Sequence, residues 1–445
     1  MVPLTRRRFL QTSSLAALAA AVPSAWARAA HEAAYRHLID PKKKLRIASI
    51  GCGGKAYSDI LACAGEEIVA LCDVDYETGA RAFREFPLAA RYRDYRQMLE
   101  EMHDQIDAVI VTTPDHTHFP AAMMAIERGK HLYIQKPLTH TIAEARQLKE
   151  AARKAGVVTQ MGNQGHANNG TRLTKEWIEA GLIGAVREVH CWTNRPIWPQ
   201  GMALPQPVAT IPPTMDWNLW LGVAPERDYS PKIAPFNWRG YWDYGCGALG
   251  DMGCHLMDAP FWALNLRGPV RVSALSEGGT EVTCPHWSIV TYEFPARGSL
   301  PPVKLIWYDG NKMPPAPEEL AAGEKLPHGG TIYRGDKGVI LARGDYGQAP
   351  ALIPETRWKE FKHWPAPQIP RIPGENSQLE WITACKGGQA PGSNVPDYAA
   401  DLTEMVLLGN VAIRAGRPIE WDSATGRCTH FPEGDRFLSK SYRLF

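Results

Sequence analysis

The residues best suited to chemistry fall in four short stretches of this 445-residue chain. The first is Gln135-Lys136-Pro137, directly after a strand-like run at 131–135. Strand C-termini of a parallel sheet face the ligand crevice. A lysine there can donate to a substrate hydroxyl and stabilise the alkoxide that develops as hydride leaves. A solvated surface lysine is the plain alternative. The second is the glycine-punctuated run GCGALGDMGCHLMD at 245–258. Asp251, His255, Asp258 and Trp262 recur at i, i+4, i+7 and i+11, the spacing of one helical face. His255 suits general-base work near neutral pH, and Asp251 suits orienting it or an adjacent hydroxyl. An N-cap aspartate beside a satisfied buried histidine explains the same residues. Cys246, Asp251, Cys254 and His255 have no familiar ligand spacing, so no metal is expected.

Two further clusters follow strand-like runs: Pro114-Asp115-His116-Thr117-His118 and Asn163-Gln164-Gly165-His166. Pro114, His118 and Asn163 are candidates for the cofactor side, and Gln164 and His166 for the substrate side. Ordinary polar loop residues account for each equally well. Seven tryptophans lie within 192–262. Flat aromatic faces stack on sugar C–H faces but also fill cores, and about half are expected in core or subunit contacts. Trp198, Arg239 and Asp258 are retained as substrate-side candidates.

The stretch that must position this chemistry is 45–73, LRIASIGCGGKAYSDILACAGEEIVALCD. An apolar run ends in Gly51-Cys52-Gly53-Gly54-Lys55-Ala56, and a second, at 68–72, ends in Asp73. This is the order of a dinucleotide-binding βαβ unit. Gly51 allows the sharp turn, Gly53 lets a pyrophosphate approach the backbone, and Ala56 allows close helix–strand packing. Gly54 and Lys55 open the helix whose free N–H groups attract phosphate. Asp73 is placed to accept from ribose hydroxyls and to repel a 2′-phosphate, which favours NAD over NADP.

Around it the pattern alternates. Helices are expected at 76–85, 96–102, 120–128 and 142–155, and strands at 108–113, 131–135 and 157–161. That predicts an N-terminal α/β Rossmann domain with a parallel sheet over 45–162. A second α/β domain over 163–445 begins with a helix at 170–180 and a strand at 186–194. A proline- and tryptophan-rich stretch at 195–243 follows, of a length usually reserved for functional loops. Next come a helix at 249–264 bent at Pro260, five strands reading as one mainly antiparallel sheet, and helices at 377–386 and 398–415. The late helices are expected to pack back on the first domain or the sheet.

The N-terminus reads Thr5-Arg6-Arg7-Arg8-Phe9-Leu10-Gln11, then a mildly apolar stretch and a small-x-small site at Ala25-Trp26-Ala27. It resembles a twin-arginine signal over 1–27, followed by a linker or arm at 28–44, and implies a periplasmic or otherwise exported protein. The apolar stretch is too short for a membrane anchor. Removing 1–27 takes three arginines and no acid, so the formal charge falls from +2 to −1, with 46 basic against 47 acidic side chains. Nothing in that balance points to nucleic acid. Nine scattered cysteines, an odd number, do not form a disulfide framework, although one or two bridges stay open for an exported chain.

Taken together, Gly51–Ala56, Asp73, 113–118, 135–137 and 247–258 resemble the Gfo/Idh/MocA family of sugar and polyol oxidoreductases. The tail of the second domain, 394–421, resembles its bacterial-type branch. The resemblance implies a Rossmann domain followed by an α/β domain whose open, mainly antiparallel sheet makes subunit contacts, hence a homodimer or homotetramer. It also implies a carbohydrate substrate. The family's Glu-Lys-Pro lysine matches Lys136, and its Asp and His four residues apart match Asp251 and His255. Here Gln135 replaces the glutamate, and a charge partner near Lys136 or the cofactor is expected to be missing.

Overall fold

The computed structural model describes residues 35–207, 210–359 and 361–445. The signal-like segment at 1–27 and the start of the arm lie outside the described residues. In the first domain, β1 (Arg46–Ile50), β2 (Glu67–Cys72), β3 (Ala90–Tyr92), β4 (Ala108–Val111), β5 (His131–Ile134) and β6 (Thr159–Met161) form a parallel sheet in the order β3-β2-β1-β4-β5-β6. Helices α1 (Lys55–Ala62), α2 (Ala80–Glu85), α3 (Tyr95–Glu101), α4 (Asp115–Glu127) and α5 (Ile142–Ala155) connect them. Strands β1, β4 and β5 are buried along nearly their whole length, which is why they read as unbroken apolar runs. The chain order reverses between β1 and β4, and ligands bind outside the strand C-termini at such a switch point.

The second domain holds α6 (Asn169–Glu179), α7 (Trp217–Leu221), α8 (Gly247–Leu256) and α9 (Asp258–Ala263). Its nine-stranded sheet runs β13-β12-β11-β7-β10-β9-β8-β14-β15. These are β7 (Val186–Trp192), β8 (Arg271–Glu277), β9 (Trp287–Phe294), β10 (Val303–Tyr308), β11 (Gly330–Gly335), β12 (Val339–Arg343), β13 (Ala349–Ile353), β14 (Ile419–Asp422) and β15 (Arg427–Cys428). Only the β7–β10 pair is parallel. Strand β9 alternates buried and half-buried residues, and its buried face packs under α11 (Ala400–Ala415), which follows α10 (Ser377–Cys385).

Both late helices return as expected. Helix α10 docks on the parallel sheet, where buried Trp381 packs on Tyr133 at 5.6 Å and Ser377 meets the Tyr133 hydroxyl at 3.0 Å. Helix α11 bridges α5 and α8. The described end of the arm packs on the first domain too: Ile39 N–H donates to Cys385 O at 2.9 Å and His131 to His37 O at 3.0 Å.

Three expectations are corrected, two of them by proline. The helix expected to bend at Pro260 instead breaks at Met257. Pro260 has no N–H for the Leu256 carbonyl four residues back, so the missing bond falls there. The Leu256 carbonyl accepts from Thr331 Oγ1 (3.2 Å) and Cys191 Sγ (3.4 Å) instead. The polar face from Asp251 to Trp262 is therefore split between two helices. The helix expected to start at Pro120 begins at Asp115, so that cluster is helical rather than a loop. Pro120 frees the His116 carbonyl, which accepts from Lys440 Nζ at 3.1 Å. The helix expected at 76–85 is shortened to Ala80–Glu85, because Asp75 accepts from Glu77 N–H and Thr78 Oγ1 and holds a turn. All nine cysteines are buried and free. Among the described residues no helix is long and apolar enough to cross a membrane.

Candidate active site

A cleft of about 480 Å³ opens at the β1/β4 switch point. Its floor is the glycine turn: Gly51, Gly53, Gly54 and Lys55 line it, with Asp73 and Pro114 beside them. Gly51 has φ 88°, and a Cβ on it would sit 2.1 Å from the Thr112 carbonyl oxygen. A Cβ on Gly53 would sit 2.7 Å from the Thr78 carbonyl oxygen. Only glycine fits the turn at these two positions, and the side-chain-free backbone it leaves along the cleft fits a dinucleotide's pyrophosphate. Ala56 is fully buried behind the turn. Asp73 accepts from Cys52 N–H (2.8 Å) and Asp75 N–H (2.9 Å), and burial raises its carboxyl to about 6.

The cleft's outer wall comes from the 195–243 stretch. An isolated bridge, Asp75 to Met215, stitches that stretch to the end of β2, and Arg93 donates to Thr214 O at 2.7 Å. Met215, Leu219, Trp220, Phe236 and Trp238 then face the glycine turn across the cleft. Trp217, Trp220 and Trp238 are buried in the segment's own aromatic cluster, with Trp217 and Trp220 stacked at 4.6 Å. These tryptophans are core. Trp198 is also buried, its Nε1 donating to Gln200 at 3.0 Å.

The reactive end is built by Lys136, Asp251 and Arg239. Lys136 Nζ donates to Asp251 Oδ1 at 2.9 Å and to the Asp251 carbonyl at 2.7 Å, across the domain junction. Arg239, on the 3₁₀ turn Asn237–Gly240, reaches Asp251 Oδ1 at 3.5 Å and lines the cleft. Burial alone would raise the Asp251 carboxyl, but Lys136 and Arg239 outweigh it and hold it below the usual range. His255 follows one turn along α8. Burial first, then Lys136, drives its pKa well below 6.5, so the ring is neutral at pH 7. Its Nδ1 is buried without a partner among the described residues. Of the two expected roles for Asp251, orienting His255 is not what the structure shows, since its hydrogen bonds go to Lys136 and Tyr346 packs edge-on to the His255 ring at 4.8 Å; holding an adjacent hydroxyl stays open.

Other expected site residues stand behind the cleft rather than in it. His118 is buried, with ring nitrogens 2.9 Å from Pro137 O and Thr113 O, so it braces the two loops that carry Lys136 and Pro114. Asn163 is buried and accepts from Ser393 Oγ at 2.6 Å. His166 and Asp258 pair with each other at 3.0 Å, joined by Tyr398 OH at 2.5 Å, and both are sealed from solvent. As substrate contacts they are corrected, because each is buried and Asp258 is already held by His166 and Tyr398. Gln164 is half-buried with an unpartnered Oε1 and remains a candidate.

Gln135 is corrected most informatively. Its Nε2 donates at 2.9 Å to Asp59, a fully buried carboxylate on α1. Asp59 also accepts from Gln378 (2.8 Å) and Thr112 (3.1 Å) and pairs with Lys55. A carboxylate does lie beside position 135, 76 residues earlier in sequence, but it pairs with Lys55 and not with Lys136, whose acidic partner is Asp251. A glutamate at 135 would face Asp59 directly, so glutamine is its complement. Sequence reasoning missed Asp59, although its place between Ala56 and Ile60 on the buried face of α1 signals a paired acid. It also passed over Asp115, whose buried carboxyl is raised to about 7 and accepts from Cys246 N–H at 3.1 Å. Tyr346, between two glycines after β12, was missed as well.

A glycine cradle at a switch point, walled by a second domain that supplies Asp251 and His255 to Lys136, defines a dinucleotide-dependent oxidoreductase of two-domain design. Comparison with known proteins agrees. Residues 45–163 match the profile for the oxidoreductase family's NAD-binding Rossmann fold, and 173–300 match its C-terminal alpha/beta domain. The two matches span more than half the chain, which belongs to the Gfo/Idh/MocA oxidoreductase family. It is 32% identical over 159 residues to the inositol 2-dehydrogenase/D-chiro-inositol 3-dehydrogenase of Lacticaseibacillus casei, covering 34% of this chain and 45% of that protein. It is 25% identical over 189 residues to the levoglucosan dehydrogenase of Pseudarthrobacter phenanthrenivorans, covering 42% and 40%. The chain thus spans under half the length of these curated relatives. Among solved structures it is similar in fold to the WlbA dehydrogenase of Bordetella pertussis, solved with NADH and UDP-GlcNAcA, at TM-score 0.60 and 18% identity over 85% of this chain and 99% of that one. The aldose-aldose oxidoreductase of Caulobacter crescentus, complexed with glycerol, gives TM-score 0.55 and 20% identity over 85% and 100%.

Proposed function

We propose that this protein is an NAD-dependent oxidoreductase acting on a hydroxyl of a sugar, polyol or glycoside, with a cofactor that stays bound between turnovers. The observation that carries the reading is the Lys136–Asp251 contact at 2.9 Å, joined to the glycine-floored cleft by Arg239, which lines that cleft and reaches Asp251 Oδ1 at 3.5 Å. A bound nicotinamide ring supplies the hydride acceptor. Neutral His255 takes the substrate hydroxyl proton. Lys136 donates to the oxygen as charge grows on it, and Asp251 holds the ammonium in place. Arg239 and Tyr346 flank the same space. Asp73 favours NAD over NADP, since a 2′-phosphate would meet a carboxylate, and nearby Arg93 is committed to the Val74 and Thr214 carbonyls.

The enclosure of the cleft by the tryptophan-rich segment supports a resident cofactor. Two outcomes suit one: reduction by one sugar and reoxidation by another, or transient oxidation that acidifies a neighbouring C–H and lets a glycosidic bond be eliminated and hydrated. Solvent deuterium appearing at the carbon next to the oxidised one selects the second. Net release of a lactone or keto-sugar selects the first. The twin-arginine-like segment supports export of the folded, loaded protein. Replacing Arg6 and Arg7 by lysine should hold it in the cytoplasm in a fractionation assay.

The central test is Lys136→Ala. Turnover should fall about 10²–10³-fold, the range for removing one donor to a developing oxyanion, while NAD released on denaturation stays at wild-type occupancy. Unchanged turnover sinks the assignment. Retained NAD that no sugar or glycoside in a panel can reduce would make the protein a non-catalytic binder.

A further inference from the structure

The segment 438–445 is not required by either domain's sheet, yet it is tied down along its length. Leu438 O accepts from Ala143 N–H at 2.9 Å. Lys440 donates to His140 Nδ1 (2.9 Å) and to the His116 carbonyl that Pro120 leaves free (3.1 Å), and pairs with Glu144 at 3.2 Å. Tyr442 OH donates to the same Glu144 at 2.5 Å. Arg443 then crosses to the second domain. Its guanidinium donates to Asn218 Oδ1 (2.7 Å), Asn218 O (2.9 Å) and Ala224 O (3.1 Å), and its N–H to Val223 O (3.1 Å). Phe445 turns back into the cofactor cleft, where it shares the lining with Asp73, Tyr95 and Trp220. Arg96 fixes it: the guanidinium stacks on the ring at 4.1 Å and donates to Phe445 O at 2.6 Å, while Asp94 holds Arg96 from behind at 2.7 Å.

We propose that 439–445 is a clasp on the dinucleotide. Phe445 walls the Asp73 end of the cleft, where the adenosine half lies, and Arg443 staples residues 218–224, with Trp220, across it. The cofactor then leaves only when the clasp peels away. This rests on the reading of the cleft as an NAD site. It adds residues outside both family-matched regions to that site, and it makes retention of NAD a property of residues 439–445.

The test is release of NAD from the purified full-length protein, followed by rapid dilution with the nucleotide measured by chromatography. Phe445→Ala and Arg443→Ala should each speed release by about tenfold or more. Phe445→Trp should restore slow release, and thermal midpoints should change little once NAD is added back. Equal release rates in wild type and both alanine variants overturn the clasp. Slower release from Phe445→Ala overturns it too, because the ring would then be a competitor for the nucleotide rather than its wall. Wild-type protein that carries and binds no dinucleotide overturns the NAD reading itself, a result separate from either.

Discussion

At the scale of single residues, the site is organised by two polar pairs, one across the domain junction and one inside the first domain. Lys136 meets Asp251, and Gln135 meets Asp59, on opposite sides of the same strand end. The pairing predicts that Gln135→Glu lowers stability by about 3 kcal/mol, the cost of a buried charge facing no opposite charge. Denaturant unfolding measures it, and an unchanged midpoint would show that Asp59 does not need an uncharged neighbour. Asp59→Asn in that background should recover much of the loss. His255 sets the pH behaviour. Its pKa is held well below 6.5 by burial and by Lys136, so the base stays unprotonated as pH falls through the usual histidine range. The acid limb of kcat/KM for the oxidation should therefore lie below pH 6.5, and should move up towards it in Lys136→Met, whatever the loss in rate. A limb centred at 6.5 in the unsubstituted protein would contradict the burial of this ring.

At the scale of elements, the positions that carry the chemistry depend on how closely α8 approaches α11. Gly409 on α11 permits it: a Cβ there would lie 2.3 Å from the Tyr292 hydroxyl and 2.5 Å from Leu249 Cδ2 on α8. Gly409→Ala should cost about 1–3 kcal/mol by overpacking. It should also lower kcat by displacing Asp251 and His255, with NAD occupancy unchanged, and steady-state kinetics beside nucleotide analysis separate the two effects. Much of the element order was legible in the sequence. Helix α5 was read to the residue, because Thr141 and Glu144 form a capping box and Gly156 closes the other end in a left-handed turn. Two of the five late strands, expected at 303–308 and 339–343, are found at those bounds as β10 and β12. The three-residue β3 and the short β14 and β15 carry too few residues for an alternating pattern, and β13, an edge strand beside β12, buries only its last two residues and so does not alternate either. Two of the three misplaced helix ends have one cause. A proline is visible in sequence at its own position, but the hydrogen bond it removes belongs to the carbonyl four residues earlier. Lys136, Asp251 and the glycine turn were legible because local spacing announces them. Asp59, Tyr346 and Phe445 were not, since each acquires its role from a partner far along the chain.

At the scale of the whole molecule, the first domain is completed by chain that comes last: α10 on its sheet, and the clasp across its cleft. The cofactor site thus draws on segments far apart along the chain. An oligomer built through the open sheet is expected from the family design, and light scattering on the purified protein should give a dimeric or tetrameric mass. The nine buried thiols set a further condition. Burial raises Cys63, Cys191 and Cys254 to about 12, so little thiolate exists to react at neutral pH. A thiol-specific chromophore at pH 8 should label none of the nine in the native protein and all of them in denaturant. Nine unpaired thiols released together into an oxidising compartment would cross-link at random before the chain could find its fold again. For a copy exported as proposed, folding would be a one-way passage: it would have to be finished where reductant is at hand, and a molecule that opened afterwards would be lost. Service life outside the cell interior is then measured by the rate of unfolding and not by the equilibrium constant.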